Sequence, residues 1–167
     1  MTYDITATHA LNKFLQYKLE TAGFIVPSKY NGLSPFIPAQ QQPELTNLPS
    51  GVPFLVYNYA RTGGYEDWWL DHEQAAYVIY SDQEKQIRQI THYLDQLLKR
   101  YDWSAEDINV YLQANGSAAQ KAFDFKYTRI IALASMEPAT EEGGRYSGSL
   151  VLSLCFTSDL NQQGMRA

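Results

Sequence analysis

One continuous stretch of the chain, residues 75–101, passes from the repeat of a β-strand to the repeat of an α-helix. In its first part, apolar residues occupy both alternating sets of positions, which is typical of a strand with both faces covered. In its second part, the apolar residues follow helical spacing and form one stripe; they are Ile87, Ile90, Leu94, Leu97, Leu98 and Tyr101. Ser81 and Glu84 lie between the two parts at the spacing of a capping box. The stretch therefore predicts a strand that leads directly into a helix of about five turns, with the rest of the chain packed around both.

The remaining periodicities predict one α+β domain over residues 1–160, followed by a polar tail at 161–167. Alternation predicts strands at residues 52–59, 68–80, 123–133 and 150–157. Helical spacing predicts a first helix that ends before Gly23 and a shorter one that starts near Ser104. The element order α-β-β-α-α-β-β predicts a four-stranded, mainly antiparallel sheet packed against helices.

Residues 26–52 are rich in proline and predict an extended arm with little regular structure. A connection of this length within a compact domain is usually functional or lies on a neighbouring molecule. Its predicted anchors are the spaced apolar residues Phe36, Ile37, Leu45 and Leu48. A disordered linker is the alternative, and these anchors argue against it.

The composition favours a protein that associates with other proteins. The chain has 13 Tyr, 3 Trp and 7 Phe in 167 residues, and large rings with polar tips suit half-buried surfaces such as subunit interfaces. The net charge of −5 offers no basic field to nucleic acid or to an anionic membrane. Cys155 is the only cysteine, which excludes an intrachain disulfide and a cysteine-rich metal site. No apolar stretch approaches the ~20 residues of a membrane-spanning helix, and the N-terminus lacks a signal-peptide pattern, so we expect assembly in a cytosol.

Few residues are candidates for chemistry. Asp71, His72 and Glu73 form a His–carboxylate cluster, but adjacent strand residues face opposite sides and cannot together chelate one ion. The Gly-Gly-Arg sequence at 143–145 could cradle an anion, although a flexible hairpin tip explains the same residues. No nucleophile elbow, phosphate-binding loop or dinucleotide fingerprint is present in the sequence. We therefore predict no catalytic, cofactor-binding or metal-binding residues and no enzymatic activity.

Six segments of the chain carry a family resemblance. They are Pro53-Phe54-Leu55-Val56-Tyr57, Tyr77-Val78-Ile79-Tyr80-Ser81-Asp82, the helix that runs on to Arg100, Asp102-Trp103-Ser104-Ala105-Glu106-Asp107-Ile108-Asn109, Phe123-Asp124-Phe125 and Glu142-Gly143-Gly144-Arg145-Tyr146-Ser147-Gly148. Over residues 50–157 this set resembles the neck proteins of tailed bacteriophages, in particular the tail terminator (tail-completion) proteins. The resemblance implies a small α+β subunit that forms a six-membered ring on the tail tube, stops tube growth and docks onto the head-side connector.

The resemblance also implies the partners and the location. The partners are further copies of the chain in a homohexamer, the tail tube protein, the head–tail connector or adaptor protein, and the tail sheath. The resemblance further implies that DNA passes through the lumen without specific binding, that no membrane is involved, and that the protein resides in the virion at the head–tail junction. Edge strands of the sheet then need a partner, which the neighbouring subunit can provide. The residues predicted to form interfaces with subunits, tube or connector are Phe36, Ile37, Tyr57, Tyr59, Trp68, Trp69, Glu141, Glu142, Arg145 and Tyr146.

Two other functions stay open. The first is a head-completion or connector ring of the same neck, which contacts the portal and not the tube. The second is a small carbohydrate-binding module or hydrolase that uses Trp68, Trp69 and the acidic residues within 66–73.

Overall fold

The computed structural model describes residues 5–41, 47–62, 70–100, 102–133, 140–142 and 145–158, with the backbone alone for 140–142. Its helices are α1 (Ala7–Thr21), α2 (Glu84–Leu98), α3 (Asp102–Asn115) and α4 (Ala118–Lys121), with 3-10 helices at Pro27–Tyr30 and Ala39–Gln41. Its strands are β1 (Phe36–Pro38), β2 (Phe54–Thr62), β3 (Asp71–Ser81), β4 (Phe123–Leu133), β5 (Thr140–Glu142) and β6 (Arg145–Ser158). No helix in these segments is long and apolar enough to cross a membrane.

The strands form one mixed sheet. Its main row has the order β1-β2-β3-β6-β4, and β5 pairs with β6 outside this row. β1 is parallel to β2, and the other described pairs are antiparallel. The prediction of a four-stranded, mainly antiparallel sheet in the order α-β-β-α-α-β-β is therefore wrong, because the row has five strands with one parallel pair and the described chain has four helices. The missed strands β1 and β5 have three residues each, which is too short for alternation to show.

Helices cover one face of the sheet. Alternate residues of β3 are buried on this face; they are Glu73, Ala75, Tyr77 and Ile79. Their direct neighbours on β6 are Leu154, Leu152, Leu150 and Gly148. The core therefore lies between the two central strands and the helices. The intervening β3 residues from 72 to 78 are half-buried, so the second face of the sheet is only partly covered.

α2 lies on the sheet through the predicted apolar stripe, whose buried members are Ile87, Ile90, Leu94 and Leu98. The helix spans 15 residues, which is about four turns instead of five. The predicted capping box is wrong because Ser81 is still the last residue of β3, and its hydroxyl donates to Gln86 Oε1. The N-cap is Gln83, and its side chain makes no capping hydrogen bond. α2 approaches the sheet closely at Gly148, where an added Cβ would lie 2.9 Å from Ile87 Cγ2.

The end of α1 follows its sequence signal. Gly23 has φ +84°, and the Phe24 N–H donates to the Leu19 carbonyl at 2.9 Å. This is a Schellman motif, in which glycine is favoured because the left-handed conformation is costly for other residues. At the other end, Thr6 is the N-cap and forms a capping box with His9.

The described residues of the proline-rich segment 26–52 pack against their own domain. Tyr30 is buried, its hydroxyl donates to the Pro53 carbonyl at 2.5 Å, and its ring centroid lies 5.1 Å from that of Phe54. Arg145 Nη2 donates to the carbonyls of Leu48 and Pro49 at 2.8 Å and 3.0 Å. Of the predicted anchors, Phe36 and Leu48 are buried and Ile37 is half-buried in their own chain, and Leu45 lies outside the described residues.

Candidate functional site

The residues predicted to form interfaces lie in different environments. Three are buried within their own chain: Phe36, Tyr57 and Arg145. Two are half-buried, Ile37 and Tyr146, and Tyr59 is 38% exposed. Trp68 and Trp69 lie outside the described residues. The backbones of Glu141 and Glu142 belong to β5 and pair with Tyr146 and Arg145.

A buried polar network joins α1 to β3. The carboxylate of Glu73 accepts hydrogen bonds from the Thr8 N–H at 2.7 Å and from the Thr8 hydroxyl. About one helical turn further along α1, Asn12 Oδ1 accepts a hydrogen bond of 2.6 Å from the Tyr77 hydroxyl. Burial raises the pKa of Tyr77, and the nearby Glu73 and Tyr57 raise it further. Since α1 has no acidic residue in its own first turn, Glu73 supplies the negative charge that a helix N-terminus favours, and the network fixes α1 on the sheet.

The structure separates the His–carboxylate cluster. Glu73 faces the helices, His72 lies on the opposite face of β3, and Asp71 pairs with Arg61 at 3.4 Å. Within the described parts of the chain, no group of three or more His, Cys, Asp and Glu side chains is placed to hold a metal ion.

His72 instead lies beside residues that are distant in the sequence. It pairs directly with Cys155 on β6, and its ring centroid is 6.5 Å from that of Tyr127 on β4. Burial raises the pKa of Tyr127, and its contact and hydrogen bond with Cys155 raise it further. Sequence spacing could not reveal this row because each residue comes from a different strand. Cys155 is 1% exposed, so the row packs the second face and does not present a thiol to a substrate.

A cleft of about 450 Å³ lies beside α1. It is lined by one side of the helix from His9 to Glu20, together with Tyr57 and Tyr111. The described charged side chains in its wall, including Lys13 and Glu20, are of both signs and none is buried. The buried polar residue Asn12 in this wall already accepts the Tyr77 hydroxyl, so the described lining offers no set of convergent charged groups that would define a ligand class.

Among the described residues, no strand pairs with the outer side of β2 over residues 58–62, which we call the β2 edge; the 3-10 helix Ala39–Gln41 lies close to β2. β1 pairs with β2 only at residues 55–57 and ends at Pro38, a residue without an N–H to continue a ladder. All five residues of the β2 edge are exposed, and no described residue pairs with their outer side.

The backbone groups that point outward from the β2 edge can be identified. The Leu55 N–H donates to the Pro35 carbonyl at 2.8 Å on the outer side of β2. Because a strand alternates its hydrogen-bonding direction, the N–H and C=O groups of Tyr59 and Arg61 point to the same side. The Tyr59 N–H meets the side-chain oxygen of Asn58 at 2.9 Å, in the place that a partner's carbonyl would take.

At the other side of the sheet, α3 packs against β4, and its Asn109 side chain hydrogen-bonds to the backbone at the start of the strand. Asn109 Nδ2 donates to the Phe125 carbonyl at 2.8 Å, and Asn109 Oδ1 accepts from the Phe125 N–H at 2.7 Å. Asn109 Nδ2 also donates to Asp124 Oδ1 at 2.9 Å. The side-chain amide thus binds β4 as a neighbouring strand would.

The second part of β4, residues 129–133, is the β4 edge. No described strand pairs with its outer side, and Ile131, the extra residue of a bulge, is 53% exposed. The backbone N–H and C=O of Phe125 point outward, to Asn109. Phe125 lies opposite Phe156 of β6, and Ile130 lies opposite Leu152, four residues away. Because hydrogen-bonding direction repeats every two residues along β6, the backbone groups of Ile130 also point outward. The β4 edge therefore presents the backbone of Ile130.

The two edges lie at the same height along the strands, and their strands run in opposite directions. Tyr59, Ala75, Leu152 and Ile130 form one row across the sheet. Three antiparallel pairs separate β2 from β4, so the two edge strands run in opposite directions. Each molecule can therefore accept a strand on one side and offer a strand on the other.

The sequence-based interface prediction includes Tyr59 and misses Arg61, Ile130 and Ile131 of the two edges, as well as Asn109. Asn109 lies in α3 between the buried residues Ile108 and Leu112. A polar side chain beside an apolar helix stripe is a usable signal, since a half-buried amide needs hydrogen-bond partners, but the sequence does not say which strand supplies them.

The segments on which the expected resemblance rests lie in β2, β3, α2, α3, β4, β5 and β6. Comparisons of the chain with protein-family models, with curated proteins and with solved structures find no match.

Proposed function

We propose that this chain is a structural subunit of the neck of a tailed bacteriophage, similar to the tail terminators, and that it forms a ring on the tail tube. The observation that supports this most is the pair of matched open edges, the β2 edge and the β4 edge. A subunit with two different, complementary surfaces associates head to tail, and the assembly closes into a ring when the rotation per subunit divides a full turn evenly.

The residues of the resemblance support the proposal through their positions. Residues 53–57 lead into and form β2, 123–125 begin β4, and 102–109 form the part of α3 that carries Asn109. These elements hold the two edges apart and limit how much of β4 is open. The resembling segments therefore lie next to the β2 edge and the β4 edge, in the same strands, and do not include the edges themselves.

In this proposal the ring ends the polymerisation of the tail tube and joins the tail to the head-side connector. The ring is a homohexamer assembled in the host cytoplasm and carried in the virion neck, with the tail sheath as a further neighbour. The net charge of −5 suits a lumen through which DNA moves, because an acidic surface repels phosphates.

The test is a mass measurement of the full chain, alone and mixed with tail tube protein, followed by electron microscopy of the tubes. We expect a closed ring with the mass of six subunits, located at one end of tubes that stop growing. A protein that stays monomeric at high concentration and leaves tube length unchanged would refute the proposal.

The same experiment separates the other candidate functions. A ring that ignores tubes and binds the portal or connector would identify a head-completion protein. A carbohydrate-binding module or hydrolase would need Trp68, Trp69 and the acidic segment 66–73 to act together; the structure already points Glu73 at α1 and away from His72. Glycan binding by a monomer would favour that function.

A further inference from the structure

We infer that neighbouring copies of this chain join by antiparallel strand pairing, with the β2 edge of one copy against the β4 edge of the next. The sheet then continues from subunit to subunit. The inference deepens the proposed function and rests on it, since a ring requires each subunit to bind a neighbour on both sides.

The direction of the strands supports this pairing. β2 and β4 of one molecule run in opposite directions. A rotation about an axis that lies along the strands preserves strand direction, so β4 of the next copy meets β2 in the antiparallel sense. The edge hydrogen bonds are then perpendicular to the strands, and the ladder resembles those inside the subunit.

The phase of the backbone groups supports it as well. Tyr59 and Arg61 point their N–H and C=O groups out of the β2 edge, and Ile130 does so at the β4 edge. Without any shift along the strands, Tyr59 lies opposite Ile130, because both belong to one row of the sheet. A shift of two residues brings Arg61 opposite Ile130. A shift of one residue would place side chains on the wrong faces.

The side chains at the edges are compatible with the contact. Without a shift, Tyr59 lies opposite Ile130; Tyr59 is 38% exposed and Ile130 is half-buried in the isolated chain, and aromatic and β-branched residues form favourable cross-strand pairs. Arg61 lies on the helix-covered face, where it pairs with Asp71 at 3.4 Å. Arg129 lies on the opposite face, across from Ser153, so joining the edges does not bring the two arginines together.

One test removes a single backbone donor from the β2 edge. Arg61→Pro deletes an N–H that points out of the sheet, and proline is tolerated at such edge positions. Arg61→Ala removes the same side chain but keeps the N–H, so it is the matched control. We expect Arg61→Pro to raise the concentration for half-assembly at least about tenfold, because the partner's carbonyl loses its donor, while Arg61→Ala stays within about threefold because exposed ion pairs contribute little. Circular dichroism and thermal melting verify that both variants are folded.

A second test locates the contact. Cysteines are introduced as Tyr59→Cys and Ile130→Cys, singly and together, because hydrogen-bonded antiparallel pairs have Cα atoms about 5.5 Å apart, within disulfide range. Under oxidation we expect the double variant to form a ladder of covalent multimers up to the ring size, and a scan of the second cysteine over 128–133 to reveal the shift. The exposed pair Trp103→Cys with Val110→Cys on α3 is the control, and should give no ladder.

The outcomes separate this inference from the function. A ring of unchanged stability in Arg61→Pro, without cross-links in the scan, overturns the strand pairing and leaves the proposed ring intact. Cross-linked dimers from Tyr59→Cys alone also overturn it, since two β2 edges would then pair with each other. A wild-type chain that forms no ring with or without tube protein overturns the proposed function itself.

Discussion

Replacing Glu73 by alanine tests whether a carboxylate on a strand caps a helix from outside that helix. Glu73 is 3% exposed and accepts both the N–H and the hydroxyl of Thr8, which is fully buried at the second position of α1. The substitution removes the acceptor and the charge together and leaves two buried donors of Thr8 without a partner.

The expected cost follows from these contacts. A hydrogen bond to a charged group contributes about 1.5–3 kcal/mol, and a buried donor left unpaired costs about 1–3 kcal/mol. Because the two bonds share one carboxylate oxygen and are not additive, we expect Glu73→Ala to lower the free energy of unfolding by about 3 kcal/mol. Glu73→Gln keeps an oxygen acceptor and loses the charge at the helix N-terminus, for which we expect about 1–2 kcal/mol.

Urea unfolding followed by far-ultraviolet circular dichroism measures these values, with an unchanged slope showing that the unfolding transition is comparable. Glu106→Ala, an exposed glutamate of α3, is the control and should change stability by less than about 0.5 kcal/mol. In a double-mutant cycle with Thr8→Val, we expect a coupling energy of about 1 kcal/mol or more. A loss below about 1 kcal/mol for Glu73→Ala, or no coupling to Thr8, would refute the capping role.

Three further predictions concern single residues. Gly148→Ala places a Cβ 2.9 Å from a methyl group of α2; we expect a loss of about 1–3 kcal/mol in urea unfolding, whereas Ser149→Ala on the other face should change stability by less than about 0.5 kcal/mol. Asn109→Ala removes both hydrogen bonds to the Phe125 backbone, so hydrogen exchange at the Phe125 amide should accelerate at least about tenfold; unchanged exchange would contradict the contact. Burial raises the pKa of Tyr77 in the folded protein, so the un-ionised Tyr77 stabilises the fold fully below about pH 10, and this contribution declines as the pH rises above that value. The melting temperature of Tyr77→Phe should therefore fall less between about pH 9 and 11 than that of the wild type, and equal declines would contradict this.

Long periodic elements of this fold could be predicted from the sequence. The stripe of α2 is visible because its members recur at helical spacing, and four of its six predicted members are buried: Ile87, Ile90, Leu94 and Leu98. The end of α1 at Gly23 is visible because the left-handed conformation selects glycine. Local signals between elements were less reliable. Ser81 and Glu84 have capping-box spacing, yet β3 extends through Ser81 because the sheet pairs that residue with Tyr146.

The parts that were missed depend on contacts between distant segments. β1 is a three-residue strand within a proline-rich segment, and only its pairing with β2 makes it a strand. The closeness of His72 and Cys155 arises from the register of β3 and β6, which no spacing along the chain encodes. The open edges likewise depend on the length of β1 and on the reach of Asn109, and both are properties of the folded chain.

The amide of Asn109 has a consequence for assembly fidelity. In the proposed assembly, it blocks the first part of β4 by taking the place of a strand at Phe125, so a neighbouring copy can pair only with the short remainder of the strand and in few registers. A longer exposed edge strand would allow many pairing registers, and variable registers lead to fibres of mixed length instead of a closed ring. In the proposed assembly, this one side chain would decide whether identical molecules close into a ring or polymerise without limit.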